Sequence, residues 1–327
     1  MGVLTMILPS PLSLAIGLVL LGGSSGVVIS NLVAVSEKRR LRKSVLSFLL
    51  VAFSTSLPEL FVAMNAIAVG NMSVSLGDLL GSNITNIALV LGVCFIVATL
   101  NHSRRKEMAI GEKDMKQFTN GLILLSGTLL VLLYIQYMSR VVGILLLGVF
   151  FIYSFKLFRK RKENGDEGNR NIDRRIRKEL VLIAVGIIGV IIGSRFTVES
   201  AIDIATNLGV PASIIGATLV ALGTSLPEFA VDVRAAYTGH LEICIGDIVG
   251  SCFMNSTLIL GLLLTFTPFT VNLAVLSDLL LFSVVSNLVL WYFLDNRKTG
   301  YREGVILLLL YVVDLLSILG ILVLRVP

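Results

Sequence analysis

Residues 53–92, FSTSLPELFVAMNAIAVGNMSVSLGDLLGSNITNIALVLG, return at 222–261 as LGTSLPEFAVDVRAAYTGHLEICIGDIVGSCFMNSTLILG. Aligned without a gap at an offset of 169 residues, Val51–Gly92 and Val220–Gly261 share 18 of 42 positions. Each copy sets a proline and a glutamate inside an apolar run. The repetition divides the chain into two halves, and the composition around it says what solvent they face. Of the 327 residues 55% are hydrophobic and only 15% charged, against about 25% charged in soluble domains. That is the composition of a chain solvated by lipid.

A membrane-crossing helix needs about 20 mostly apolar residues. Such stretches lie near 12–35, 44–69, 74–99, 118–137, 141–157, 180–205, 211–236, 243–266, 273–294 and 304–325. The first has no basic start and no small-residue cleavage site, which separates it from a leader peptide. Basic loops stay cytoplasmic. Lys38–Lys43, Arg104–Lys116, the stretch from Lys156 to Lys178, Arg234 and Arg297–Arg302 place 24 of the 27 basic residues on one side. The net charge of +6 is therefore a matter of topology, and nucleic acid is not an expected partner.

The expected fold is an all-α polytopic membrane protein of ten transmembrane helices, with both termini outside. An odd number of spans per half turns the second half upside down, so these are two inverted five-helix repeats with broken helices at the midplane. The first repeat takes 1–155, a basic cytoplasmic linker 156–179, and the second repeat 180–327.

Proline in a helix interior removes a backbone hydrogen bond and clashes with the carbonyl four residues back. In TSLPE this loosens carbonyls around Ser54, Thr55 and Ser56, and around Gly223, Thr224 and Ser225. Loosened carbonyls at membrane depth are tolerated where they face protein, water or an ion. Glu59 and Glu228 follow directly. In GDLLGSNITN and GDIVGSCFMN, Asp78, Ser82 and Asn86, like Asp247, Ser251 and Asn255, stand at i, i+4 and i+8 and make one polar stripe. Gly77, Gly81, Gly246 and Gly250 leave room for a neighbouring backbone, expected to be the broken helix of the same repeat. Hydroxyls, carbonyls and carboxylates are the donor set of hard cations such as Ca²⁺ and Na⁺. A buried carboxylate costs on the order of 2.5–3.5 kcal/mol even on lenient insertion scales, so keeping two at matching places points to a cation site.

The pair of phrases resembles the α-repeats of the cation/calcium antiporter superfamily, in its prokaryotic sodium/calcium exchanger branch. The resemblance implies antiport of Ca²⁺ against Na⁺ by alternating access. It implies a central calcium site from Glu59 and Glu228 with the carbonyls of Thr55 and Thr224. It implies flanking sodium sites from Ser56, Ser82, Ser225 and Ser251 with the carbonyls of Ala52 and Ala221. The last motif position falls on Asn86 and Asn255, which argues against potassium coupling. Asp78 and Asp247 stand where asparagine is common and are expected to act as pathway acids. The first and sixth spans are implied to slide over the ion-binding core.

A proton/calcium antiporter of the same fold, with the glutamates as proton carriers, is the nearest alternative, and another divalent cation stays open. An intramembrane aspartyl protease would leave the TSLPE phrases unexplained, and the chain is not expected to be an enzyme. No cofactor is called for. Cys94, Cys244 and Cys252 lack metal-ligand spacing and read as buried small hydrophobes. Glu199, Asp203, Asp232, Asp278 and Asp314 have no acidic counterpart at the 169-residue offset and are expected at interfaces or helix ends. The chain is expected to be an integral protein of the cell membrane.

Overall fold

In TSLPE the serine before Leu-Pro is where the helix breaks in each half. A computed structural model describes residues 10–39, 47–69, 72–100, 112–134, 137–163, 176–207, 221–267, 269–270 and 273–318. Helix α1 is Ser10–Arg39. A π-helical turn, Ser47–Val51, leads into α2 (Ala52–Thr55). Ser56 interrupts with φ −82° and ψ 10°, and α3 (Leu57–Val69) resumes. Proline is accepted here because it falls in the first turn of the resumed helix, where its missing N–H is no loss. Next come α4 (Met72–Ile84), a π-turn at Thr85–Val90 and α5 (Leu91–Leu100). Helix α6 is Glu112–Tyr134 and α7 is Arg140–Glu163.

The second half follows the same plan. Helix α8 is Arg177–Asn207. Helix α9 (Ala221–Thr224) breaks at Ser225, with φ −85° and ψ 1°, into α10 (Leu226–Tyr237). Then come α11 (Leu241–Met254), a π-turn at Asn255–Ile259 and α12 (Leu260–Phe266). Helices α9 to α12 each begin 169 residues after α2 to α5. Helices α13 (Leu273–Asp295) and α14 (Tyr301–Ile318) complete the described chain. A two-residue strand at Tyr137–Met138 pairs antiparallel with one at Phe269–Thr270, which ties the α6–α7 connection of the first half to the α12–α13 connection of the second.

Among the described residues, Pro11–Val35, Ser75–Leu100 and Leu241–Phe266 are long and apolar enough to cross a membrane. The molecule is polar at its centre and apolar at its rim. Glu59, Glu228, Asp232 and Asp247 are each 0% exposed, whereas Val19 on α1 is 76% exposed and Phe155 on α7 66%. An oily rim around buried acids is the arrangement lipid demands.

Glycines set two helix crossings that answer one another. A Cβ on Gly92 (α5) would lie 3.1 Å from the carbonyl oxygen of Gly304 on α14. A Cβ on Gly261 (α12) would lie 3.1 Å from the carbonyl oxygen of Gly143 on α7. Each crossing therefore runs backbone on backbone, which larger residues forbid. Helices α1 and α8 pack along one another, with Gly186 under Val28 and Ser24. Lys38, late in α1, donates to Glu179 at the start of α8 at 2.6 Å. The ammonium holds the Glu179 carboxyl below the usual glutamate range. Phe48, Phe150, Tyr153 and Phe253 cluster where the first π-turn, α7 and α11 meet, with Tyr153 and Phe253 ring centroids 4.9 Å apart.

Candidate ion-binding site

The serine breaks point the chain of each half into the centre. Glu59 sits in the first turn of α3 and Glu228 in the first turn of α10. A carboxylate there is favoured by the unpaired N–H groups and the positive end of the helix dipole. The two acids come from opposite halves, lie near enough to repel one another directly, and are 0% exposed. Among the described residues neither Glu59 oxygen accepts a hydrogen bond, nor does Oε2 of Glu228. Glu228 Oε1 accepts long contacts of 3.4 Å from the hydroxyls of Ser56 and Ser251.

Other predicted residues gather around this pair. The Thr224 hydroxyl donates to Asp78 Oδ1 at 3.1 Å. It thereby accepts from Ser82, 3.2 Å away. Thr55 turns its hydroxyl back to the carbonyls of Val51 and Ala52, at 3.1 and 3.4 Å. The Ala52 carbonyl also accepts the Ser56 N–H at 3.1 Å. The Ser225 hydroxyl, both amide atoms of Asn86 and the Asn255 Oδ1 are buried without a partner among the described residues. Ala221 opens α9. Asp78 is 9% exposed with Oδ2 unpartnered, and Asp247 is 0% exposed with neither oxygen partnered.

Each polar stripe packs against the broken helix of its own half, as expected, and meets the other half as well. Ser82 and Asp78 of α4 meet Thr224 of the second half. A Cβ on Gly250 of α11 would meet Ala52 Cβ at 2.8 Å and the Phe48 carbonyl at 2.9 Å, both in the first half. Within their own halves Ser251 reaches Glu228 and Ser82 acts on Glu59. The stripes thus also cross-brace the halves: Gly250 opens toward α2, while a Cβ on Gly77 would meet nothing within 4 Å among the described residues.

Three features escape sequence reasoning. Asn86 and Asn255 sit inside or at the head of the two π-turns, a geometry common at functional sites that has no residue signature. Asn83 on α4 donates to Ser256 Oγ at 2.9 Å and accepts from Asn255 Nδ2 at 3.4 Å, which leaves the Asn255 oxygen free. Asp232 lies at an interface, as expected, but at the deeply buried one between α10 and α11: it is 0% exposed and interacts directly with Asp247. Its signal was the four-residue step from Glu228, which puts both on one helix face. The three cysteines are buried and free, as expected.

Fold and centre define a class: a helical membrane protein that gathers acids and hydroxyls where its chain breaks. The family model described as sodium/calcium exchanger protein matches residues 9–158 and 178–320, and the chain belongs to that family. It is 30% identical to the sodium/calcium exchanger MaX1 of Methanosarcina acetivorans, over 92% of this chain and 96% of that one. It is also 30% identical to the uncharacterized membrane protein MJ0091 of Methanocaldococcus jannaschii, over 93% of this chain and 96% of that one. Among solved structures, the sodium-calcium exchanger NCX_Mj superposes with a TM-score of 0.82 at 27% identity, over 94% of this chain and 98% of that one.

Proposed function

We propose that this chain is a secondary antiporter exchanging Ca²⁺ for Na⁺ by alternating access. The observation that carries the reading is the meeting of Glu59 and Glu228, one from each half, at zero exposure with three of four carboxylate oxygens unpartnered among the described residues. Two ionised glutamates carry −2 and Ca²⁺ carries +2, so the loaded centre is nearly neutral and crosses a low-dielectric barrier at least cost. In this reading the Thr55 and Thr224 carbonyls complete the calcium site. Ser56, Ser82, Ser225 and Ser251, with Asn86, Asn255 and the Ala52 and Ala221 carbonyls, hold sodium.

Ten spans in two inverted repeats, with both termini outside and the basic linker in the cytoplasm, complete the reading. The 169-residue recurrence of α2–α5 in α9–α12 and the paired glycine crossings support it. Helices α1 and α8, braced by Lys38 and Glu179, are the pair that slides. The exchange serves a cell membrane.

The test is uptake of radiolabelled calcium into proteoliposomes under an imposed Na⁺ or H⁺ gradient, each applied alone. Uphill calcium movement driven by sodium is expected. Uptake that follows the proton gradient and ignores sodium would transfer the chain to proton/calcium antiport.

A further inference from the structure

Asp232 is a buried acid for which the glutamate pair has no use. It stands one turn past Glu228 on α10 and faces Asp247 of α11, and Glu228 acts electrostatically on both. Both aspartates are 0% exposed, and none of their four carboxylate oxygens has a hydrogen-bond partner among the described residues. The neighbouring thiol is turned away, since Cys244 donates to the Asp232 carbonyl at 3.1 Å. Arg234, two residues on, lays its guanidinium toward Gly26 of α1, its Nε 3.7 Å from a Cβ placed there. Among the described residues no cationic side chain compensates the pair, and the hydroxyl that acts on Asp247, that of Thr55, donates to the carbonyls of Val51 and Ala52.

Two negative charges without compensation in a dry interior are costly. Their donor set is all oxygen and their charge is −2, which suits a hard divalent cation. The first half has no equivalent. The aligned positions are Ala63 and Asp78, and Asp78 Oδ1 is taken by Thr224. The pair is therefore an addition to the second half alone.

We propose that Asp232 and Asp247 form a second calcium subsite, a transit site on the side of the glutamate centre nearer the turn between α10 and α11. The inference rests on the cation site proposed at Glu59 and Glu228. Side chains one helical turn apart are about 5–6 Å from each other, so two divalent ions there repel. The subsite fills as the centre empties and delivers or receives its ion. Among the described residues no three acid, histidine or cysteine side chains converge as a closed metal site, which suits passage rather than storage. The topology read from basic residues puts this turn in the cytoplasm.

Two measurements test it. In Glu59→Gln protein, with the centre disabled, equilibrium binding of radiolabelled calcium in sodium-free buffer should leave a weak site. Adding Asp232→Ala or the isosteric Asp232→Asn should remove it, with gel filtration confirming the fold of each. In otherwise unaltered protein, either Asp232 variant should raise the calcium KM on the order of tenfold at the cytoplasmic face and leave the outer face unchanged. No calcium bound by Glu59→Gln, residual binding indifferent to Asp232, or equal KM changes at both faces would overturn the subsite. Sodium-driven flux in the unaltered protein is a separate measurement, so a failure of the exchanger reading is told apart.

Discussion

Gly250→Ala should loosen the joint between the halves. A Cβ there would lie 2.8 Å from Ala52 Cβ, 2.9 Å from the Phe48 carbonyl oxygen and 3.0 Å from Phe48 Cα. Carbon atoms settle at about 3.5–4.0 Å, so α11 must withdraw from α2 and the first π-turn by roughly 0.5–1 Å. Two of the three obstacles are backbone and cannot rotate aside. Overpacking of this kind costs about 1–3 kcal/mol. The withdrawal also shifts Ser251, whose contact with Glu228 is already 3.4 Å long. Half an ångström more takes it out of hydrogen-bond range. Gly77→Ala is the control: a Cβ there meets nothing within 4 Å among the described residues, and alanine in a helix interior gains about 0.5–1 kcal/mol over glycine. Equilibrium unfolding in mixed micelles should rank Gly77→Ala above wild type and Gly250→Ala below it, with sodium-dependent calcium flux impaired only in the latter. A Gly250→Ala protein as stable and active as wild type, or equal damage from both alanines, would refute the close packing of α11 on the first half.

Glu59→Gln or Glu228→Gln should abolish calcium flux in proteoliposomes while the protein still elutes as a folded species, because one fewer charge leaves the divalent ion uncompensated; normal flux in either would discard the central site. Ser82→Ala and Asn86→Ala should chiefly weaken the sodium dependence of exchange; a fall in calcium affinity with an unchanged sodium response would reverse the assigned roles. Lys38→Met should lower the melting temperature at neutral pH. Glu179 has a depressed carboxyl, so its contribution is present above the ordinary glutamate range and lost as pH falls through its folded value. The melting curves of wild type and Lys38→Met should therefore converge in acid, and a constant gap across pH would contradict the pairing.

The helices and their breaks were legible because membrane physics leaves few choices. Apolar length marks a span, and proline before glutamate marks a break. The glutamates were legible because they occur twice. What failed was inference by duplication where the halves differ. Asp232 has Ala63 opposite it in the alignment, and the missing mate left it read as an interface or helix-end residue without a role at the centre, although it is among the most buried acids of the described residues. Asn83 likewise faces Cys252 in the alignment, so nothing in the repeat announces its bond to Asn255. The stripes' additional partners in the opposite half were not foreseen for another reason. Helical spacing tells which residues share a face, and it is silent on which neighbour that face meets. The π-turns depend on one extra residue in a backbone ladder, which no side chain advertises.

Interlocking has a cost in the order of assembly. Ribosomes deliver the first half before the second exists, so Ser82 and Asp78 emerge with Thr224 still unsynthesised, and Ala52 waits for the groove at Gly250. During that interval Glu59 has no opposing acid and no shared ion, and lipid is a poor host for it. The nascent half must hold the residue protonated, or near the interface, until its complement arrives. Maturation of this protein is thus a closing event late in synthesis, and neither half is a domain in the sense of something that could finish alone.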